Sequence, residues 1–217
     1  VSAQTGLGSY RLTTEFSSAS RPLAPLVAGK GTRSVELGDL NQDGILDVAA
    51  TNFTGNSVSV FLGLGDGTFR PSQVFDTGRG PISVTIADVN GDCRPDLLTA
   101  NKYNDAVSVL LGHGDGSFQP EAGFPVGTRP SGVAAADMNG DGMADLIASN
   151  YTDSTISVLL GNGDDTFQDQ QVFPTGLGPG RLAVADFNGD GVPDVVTPNY
   201  YSSTVSVLLG RGDGSLQ

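Results

Sequence analysis

The stretch DLNQDGILD at residues 39–47 decides the fold, because related stretches recur at a constant interval along the chain. They begin at Asp88, Asp137 and Asp186, so each copy follows the previous one by 49 residues. A constant interval of this size indicates a chain built from repeated structural units, each made of a few secondary-structure elements.

The pattern inside one repeat is that of β-strands. In the second repeat, residues 83–87 alternate along the chain as a half-buried strand does, and residues 96–100 and 106–111 are rich in Val, Leu and Thr. The Gly-Asp-Gly turn at 114–116 predicts a hairpin, and residues 118–126 are expected to form a fourth strand. Four short antiparallel strands in a repeat of this length are typical of a β-propeller blade.

The sequence therefore predicts an all-β protein, a β-propeller of four-stranded antiparallel blades in four 49-residue repeats. We place the blades at residues 30–78, 79–127, 128–176 and 177–217. Residues 1–29 form an N-terminal segment, and its residues 22–28 match an outer strand in phase. The fourth repeat lacks that strand, so this segment is expected to supply it. This leaves two forms open, a closed four-bladed ring and an arc completed by neighbouring chains.

The repeated loops have the composition of calcium loops. Positions 1, 3 and 5 of each loop are oxygen-bearing side chains, position 7 offers a backbone carbonyl, and position 9 is Asp. Ca²⁺ takes six to eight such hard oxygen ligands, and the loops hold 12 of the 24 acidic residues, which would repel one another without a cation. We predict about four Ca²⁺ ions. The predicted ligands are Asp39, Asn41, Asp43, Ile45, Asp47, Asp88, Asn90, Asp92, Arg94, Asp96, Asp137, Asn139, Asp141, Met143, Asp145, Asp186, Asn188, Asp190, Val192 and Asp194.

One loop departs from the others at position 6. Cys93 stands where the other three loops have Gly44, Gly142 and Gly191. If this position needs a left-handed backbone, a side chain there is strained, and the second loop is expected to bind calcium most weakly.

Charge and composition exclude several classes of partner. The formal net charge of −13 argues against nucleic acid and anionic membranes, and no apolar run is long enough to span a bilayer. The single cysteine excludes an internal disulfide. No convincing pairing of Ser or Cys with the single His suggests a nucleophilic site, so we expect no enzymatic activity.

The units resemble FG-GAP or VCBS-type repeats, the blades of integrin α-subunit propellers and of many secreted microbial proteins. The resemblance covers about residues 30–217 and rests on Asp-x-Asn-x-Asp-Gly-x-x-Asp, Val-Ser-Val-Leu-Leu-Gly and Gly-x-Gly-Asp-Gly-x-Phe. It implies calcium sites in inner-strand hairpin loops, a secreted, extracellular or cell-surface location, and a binding or scaffolding role. Family propellers usually have about seven blades, whereas this chain has four loops.

Three functions are compatible with these features. The first is a non-catalytic extracellular scaffold or adhesive module that binds a protein or glycan ligand. The second is a structural subunit that assembles into a fibre by head-to-tail strand donation between blade edges. The third is a carbohydrate-binding or other fragment of a larger propeller protein. Asn52 and Asn150 lie in glycosylation sequons, and a purely structural role in a turn is the alternative for both.

Overall fold

The computed structural model describes residues 25–217, and its strands form four antiparallel sheets, which we call blades 1 to 4. The strands of blades 1 and 2 are β1 (Thr32–Gly38), β2 (Asp47–Asn52), β3 (Ser57–Phe61), β4 (Gln73–Asp76), β5 (Pro81–Ala87), β6 (Asp96–Asn101), β7 (Ala106–Leu110) and β8 (Ala122–Pro125). Those of blades 3 and 4 are β9 (Pro130–Ala136), β10 (Asp145–Asn150), β11 (Thr155–Leu159), β12 (Gln171–Pro174), β13 (Ala183–Ala185), β14 (Asp194–Asn199) and β15 (Thr204–Leu208).

Within each blade the strands are hydrogen-bonded in chain order, so the predicted meander is confirmed. The outer strands are shorter than predicted: in blade 2 the strand covers Ala122–Pro125 instead of 118–126. Phe118 forms only an isolated bridge to Gly112, and Pro120 has no N–H to continue the ladder. Blade 4 has three strands, as the repeat alignment predicts.

The apolar core lies between consecutive blades. One cluster joins Val58 and Val60 of blade 1 to Val84 and Leu97 of blade 2, and two further clusters join blade 2 to blade 3 and blade 3 to blade 4. Phe75 meets Phe118 edge-to-face across the first of these interfaces, at 5.1 Å between ring centroids. Each blade is therefore stabilised by its neighbours, as expected of a repeat fold.

The two outermost blade faces are open. Phe187, Val205 and Val207 of blade 4 are 50%, 62% and 56% exposed, although the equivalent side chains of the other blades are buried. On blade 1, Val35 and Leu37 are also exposed. No strand pairing joins blade 4 to blade 1 within residues 25–217. The choice between a closed ring and an arc completed by neighbouring chains stays a prediction, because the proposed closing segment lies mostly outside the described residues.

The predicted N-terminal strand donor falls mostly outside the described residues, because residues 1–24 are not among them. Residues 25–28 adopt no regular structure, and Leu26 and Val27 line a cavity against Phe61 and Phe69 of blade 1. Donation of this segment to a blade edge stays a prediction.

Within residues 25–217, the structure contains no helix with the length and hydrophobicity required to cross a bilayer.

Candidate metal centre

The four repeated loops all lie at one end of the blades, which we call the loop end. Each connects the first strand of its blade to the second: loop 1 is residues 39–47, loop 2 is 88–96, loop 3 is 137–145 and loop 4 is 186–194. The opposite end, the turn end, carries the connections from second to third strand. The repeat thus places four equivalent sets of polar side chains on one face of the molecule.

In loop 1 the side chains at positions 1, 3 and 5 converge. The N–H of Asp43 donates to Oδ1 of Asp39 and to Oδ1 of Asn41, both at 3.1 Å. The amide nitrogen of Asn41 lies 2.9 Å from Oδ2 of Asp43. Loops 3 and 4 repeat all three of these contacts. Three oxygen-bearing side chains are thus preorganised around one tight turn, which suits a hard cation.

Backbone N–H groups also hold the position-1 carboxylates in place. Gly44 donates to Oδ2 of Asp39 at 2.8 Å, and the equivalent bonds occur in the other three loops. In loop 4 this bond from Gly191 is the main reason that the pKa of Asp186 is lowered. The exposed carboxylate of Asp186 is therefore held in the ionised form that a metal ligand needs.

The position-9 aspartates have a second role that the spacing alone did not predict. Asp47, Asp96, Asp145 and Asp194 are all fully buried. One oxygen of each accepts the N–H of loop position 2, and the other accepts the N–H of a glycine after the third strand, at 2.8–2.9 Å. In blade 1 these donors are Leu40 and Gly63. The carboxylate thus fastens the loop to the adjacent hairpin.

The glycine partner is required by close packing. A Cβ on Gly63 would lie 2.4 Å from the carbonyl oxygen of Leu46, and the same overlap occurs at Gly112, Gly161 and Gly210. This recurring glycine is the sequence signal that pairs with position 9.

Burial of the position-9 carboxylates has an electrostatic cost. Burial raises the pKa of Asp96 to about 6, despite the N–H bonds from Val89 and Gly112. Burial raises the pKa of Asp145 as well. A nearby cation would offset this cost. The donor sets therefore fit calcium: carboxylate and amide oxygens at positions 1, 3 and 5, with the buried position-9 carboxylate beside them.

The structure brings only part of each predicted ligand set together. Among residues 25–217, no three Asp, Glu, His or Cys side chains converge to enclose an ion. Two carboxylates and one Asn amide share each of loops 1, 3 and 4, while the position-9 oxygens face backbone N–H groups. The carbonyl ligands proposed at Ile45, Arg94, Met143 and Val192 stay predictions.

Loop 2 differs from the others in two ways. Cys93 has a φ of 62°, in the left-handed region that Gly44, Gly142 and Gly191 occupy at 82–84°. The guanidinium of Arg94 also lies 3.9 Å from Oδ2 of Asp92 and competes for a proposed metal ligand. The condition for the predicted strain at Cys93 is therefore met.

We expect Cys93→Gly to strengthen calcium binding at loop 2 and to stabilise the fold by about 1 kcal/mol, because glycine adopts this φ without strain. That gain corresponds to a rise of about 2–4 °C in the unfolding midpoint. Differential scanning calorimetry in calcium would measure it, with Cys93→Ala as the matched control that removes the thiol and keeps the strain. Equal midpoints for the Gly and Ala variants would contradict the strain argument.

The sequon asparagines are structural. Asn52 and Asn150 are fully buried, and Nδ2 of Asn52 donates to the hydroxyls of Ser57 and Ser59. Asn150 makes the equivalent bonds to Thr155 and Ser157. The nitrogen that would carry a glycan is therefore inaccessible in the folded protein, which leaves the structural role in the turn.

The FG-GAP-like repeat model matches residues 39–99, 88–148 and 140–197, and so covers most of the chain and all four loops. The chain belongs to the FG-GAP-like repeat family. The resemblance identified from the loop, strand and turn motifs is thereby confirmed. A comparison with curated proteins finds no match.

Solved structures similar to this FG-GAP-like chain support the propeller fold. A lectin from Agrocybe aegerita that recognises non-reducing terminal N-acetylglucosamine aligns with a TM-score of 0.56 and 23% identity, covering 84% of this chain and 50% of the lectin. A putative 6-phosphogluconolactonase from Bacteroides uniformis aligns with a TM-score of 0.64 and 18% identity, and the alignment covers 85% of this chain and 54% of that protein. An auxiliary nutrient binding protein from Bacteroides ovatus aligns with a TM-score of 0.56 and 12% identity, and the alignment covers 84% of this chain and 49% of that protein. The chain thus spans about half the length of these structures.

Proposed function

We propose that this FG-GAP-like chain is a non-catalytic, calcium-stabilised binding module that acts outside the cell. The observation that supports this most is the fourfold repetition of a loop whose oxygen-bearing side chains are preorganised at one end of the blades. A bound Ca²⁺ would supply the positive charge that offsets the acidic residues concentrated in each loop. Positions 1, 3 and 5 would hold the ion by their side chains, position 7 by its carbonyl.

The position-9 aspartates are compatible with a supporting ligand role. A carboxylate has about four acceptor sites, so an oxygen that accepts one N–H retains capacity for a cation. We therefore keep Asp47, Asp96, Asp145 and Asp194 in the proposed ligand set, with their hydrogen bonds to the loop and hairpin as their primary role.

The way in which the turn aspartates are used supports a non-catalytic role. Outside the loops, Asp66, Asp115 and Asp213 hold turns through bonds to Thr68, Ser117 and Ser215, and those bonds lower the pKa of each Asp. These carboxylates are thereby kept ionised and committed to the backbone. Neither feature suits the proton-donating carboxylic acid that a glycoside hydrolase requires.

A saccharide is our first choice of ligand, since the Agrocybe aegerita lectin shares the fold. In a glycan array probed with labelled protein, we expect binding to a restricted group of saccharides in calcium and a loss of that binding in EDTA, because unfolding of the loops would disturb the blades. Binding to no saccharide would contradict the glycan ligand. Identical array profiles in calcium and EDTA would contradict the dependence on calcium.

Self-assembly is a second candidate, favoured by the exposed apolar faces of blades 1 and 4. Within residues 25–217, strand β15 pairs with β14 alone, and the exposed Val205 and Val207 lie on β15. Their counterparts Ile156 and Val158 are fully buried against the next blade. Contact between the blade 4 face of one copy and the blade 1 face of another would be heterologous, so it would build a head-to-tail fibre.

If this second candidate holds, Val207→Lys should reduce assembly, because a charge would be buried at the contact. Analytical ultracentrifugation over a range of protein concentrations would measure the mass. Val172→Lys is the matched control, since Val172 is 52% exposed on an outer strand away from the end faces. A wild-type chain that stays monomeric at every concentration would eliminate the fibre.

A further inference from the structure

A cavity of about 410 Å³ at the turn end collects positive charge on an otherwise acidic protein. Its lining includes Arg33, Lys102, Arg129, Arg181, Tyr151 and Tyr200. The chain has a formal charge of −13 and only 11 Lys and Arg residues. Four of these cations in one cavity therefore oppose the overall charge, and they lie at the opposite end from the calcium loops.

These cations are close together, and within residues 25–217 none of them forms an ion pair. Burial, followed by the charges of Arg129 and Arg33, lowers the pKa of Lys102. Within residues 25–217, no carboxylate oxygen comes within 4.0 Å of the charged groups of the four. The guanidinium of Arg181 instead donates to the hydroxyl of Ser34 on blade 1. Such a cluster favours an anion that can pair with several cations at once.

Two acidic groups beside the cluster, Glu36 and Asp105, form no ion pair with its cations within residues 25–217. Glu36 lines the adjoining cavity with Arg181, without an ion pair between them. Asp105 accepts the backbone N–H of Arg129 at 2.8 Å and so fixes the backbone of that residue rather than its charge. Neither carboxylate therefore pairs directly with a cation of the cavity among the described residues.

Arg129 occupies a strained position that other repeats give to glycine. Its φ is 56°, whereas Gly31, Gly80 and Gly178 at the same place in the repeat have φ of 76°, 70° and 69°. For a residue with a long side chain such as Arg, this region of φ is energetically unfavourable. Residues held in such conformations cluster at functional sites. The residue held in this conformation is a cation that lines the cavity.

Tyrosines give the cavity flat, amphipathic walls. The ammonium of Lys102 lies 6.0 Å from the ring centroid of Tyr151, and the ring of Tyr151 is 5.6 Å from that of Tyr201. Tyr200 and Tyr201 are 74% and 66% exposed. Exposed tyrosine rings can pack against the C–H face of a pyranose while their hydroxyls bond to its hydroxyl groups. The volume is within the range of small-molecule sites.

We propose that this cavity binds a carboxylated saccharide, with a hexuronate carboxylate held by Arg129, Lys102 and Arg33 and the sugar ring packed against Tyr151 and Tyr200. The inference rests on the proposed binding function and names its ligand class and residues. An acidic peptide would satisfy the cations but would make poor use of the tyrosine faces.

Isothermal titration calorimetry with trigalacturonate tests the site, with neutral maltotriose and hexaglutamate as comparison ligands. We expect trigalacturonate to bind best and to bind more weakly as NaCl rises from about 0.15 M to about 0.5 M, because salt screens the pairing. Lys102→Ala and Arg129→Gly should each lower the affinity about tenfold, the loss of one charge-assisted contact. Arg70→Ala, an exposed cation at the loop end, should leave it unchanged.

Arg129→Gly separates binding from folding, because relief of strain should raise its unfolding midpoint by about 2–4 °C while its affinity falls. Equal binding of maltotriose, tighter binding of hexaglutamate, or unchanged affinity in both cavity variants would overturn the site. Affinity that survives in the cavity variants and is lost in Asp137→Asn would mean bridging through loop 3 calcium, which also overturns it. Saccharide binding on the array without trigalacturonate binding would leave the proposed function standing and reject this cavity.

Discussion

Chelation of calcium is expected to lower the unfolding midpoint of this chain by about 20 °C or more. Each site that binds calcium only in the folded state adds RT ln(1 + [L]/Kd) to the free energy of unfolding. This is about 2.7 kcal/mol when free calcium is 100-fold above Kd. Four such sites contribute about 11 kcal/mol, and each kcal/mol corresponds to about 2–4 °C for a chain of this size. Scanning calorimetry in excess calcium and in EDTA at equal ionic strength would measure the difference.

Variants in a single loop test whether the calcium-dependent stabilisation arises from the loops. The double variant Asp137→Asn with Asp141→Asn should lose about one quarter of the calcium-dependent stabilisation, since it disables one site of four. Asp164→Asn, in the exposed turn of the same blade, is the matched control and should retain all of it. Superimposable melting curves in calcium and EDTA would refute the calcium account for every loop.

The second large effect is expected at position 9. Asp145→Ala leaves the buried N–H groups of Met138 and Gly161 without partners, and each unsatisfied group costs about 1–3 kcal/mol. Removal of the carboxylate also removes the free-energy cost of burying it, which offsets part of this loss. We therefore expect a destabilisation of about 2–5 kcal/mol. Because the lost bonds lie within the polypeptide, the effect should persist in EDTA. Urea unfolding monitored by circular dichroism would measure it.

Asp141→Ala is the control that separates the two roles of the loop acids. Asp141 is exposed and belongs to the proposed ligand set, so its removal should matter in calcium and have little effect in EDTA. If Asp145→Ala matched wild-type stability in EDTA, the hydrogen bonds from Met138 and Gly161 would have no structural importance, and position 9 would be a ligand alone.

The periodicity predicted the blades well because each blade is determined by local sequence. Strands β5 to β7 lie within two residues of the predicted ranges at every boundary. The outer strand was overestimated, since its length depends on where Pro120 and the Gly112 bridge end the pairing. The exposure of Val205 and Val207 on blade 4 could not be predicted from their residue types, because equivalent apolar residues in the other blades are buried. Only the absence of a following blade in the described chain exposes them.

The candidate sites were also predictable only in part from the sequence. Spacing predicted which loop residues carry oxygen, but not that position 9 binds an N–H 16 residues further along the chain. The cationic cavity has no sequence signature at all. Arg33, Lys102, Arg129 and Arg181 occupy four different positions in the 49-residue repeat, so they meet only when the blades bring their turn ends together.

Calcium binding by all four loops is best tested by the stoichiometry of binding. Chelator-treated protein, freed of chelator by dialysis, would be titrated with calcium in an isothermal calorimeter. We expect about four ions per chain, one of them bound more weakly than the others, and we expect Cys93→Gly to strengthen the binding of that ion. Absence of saturable binding, or a stoichiometry unchanged by Asp137→Asn with Asp141→Asn, would contradict it.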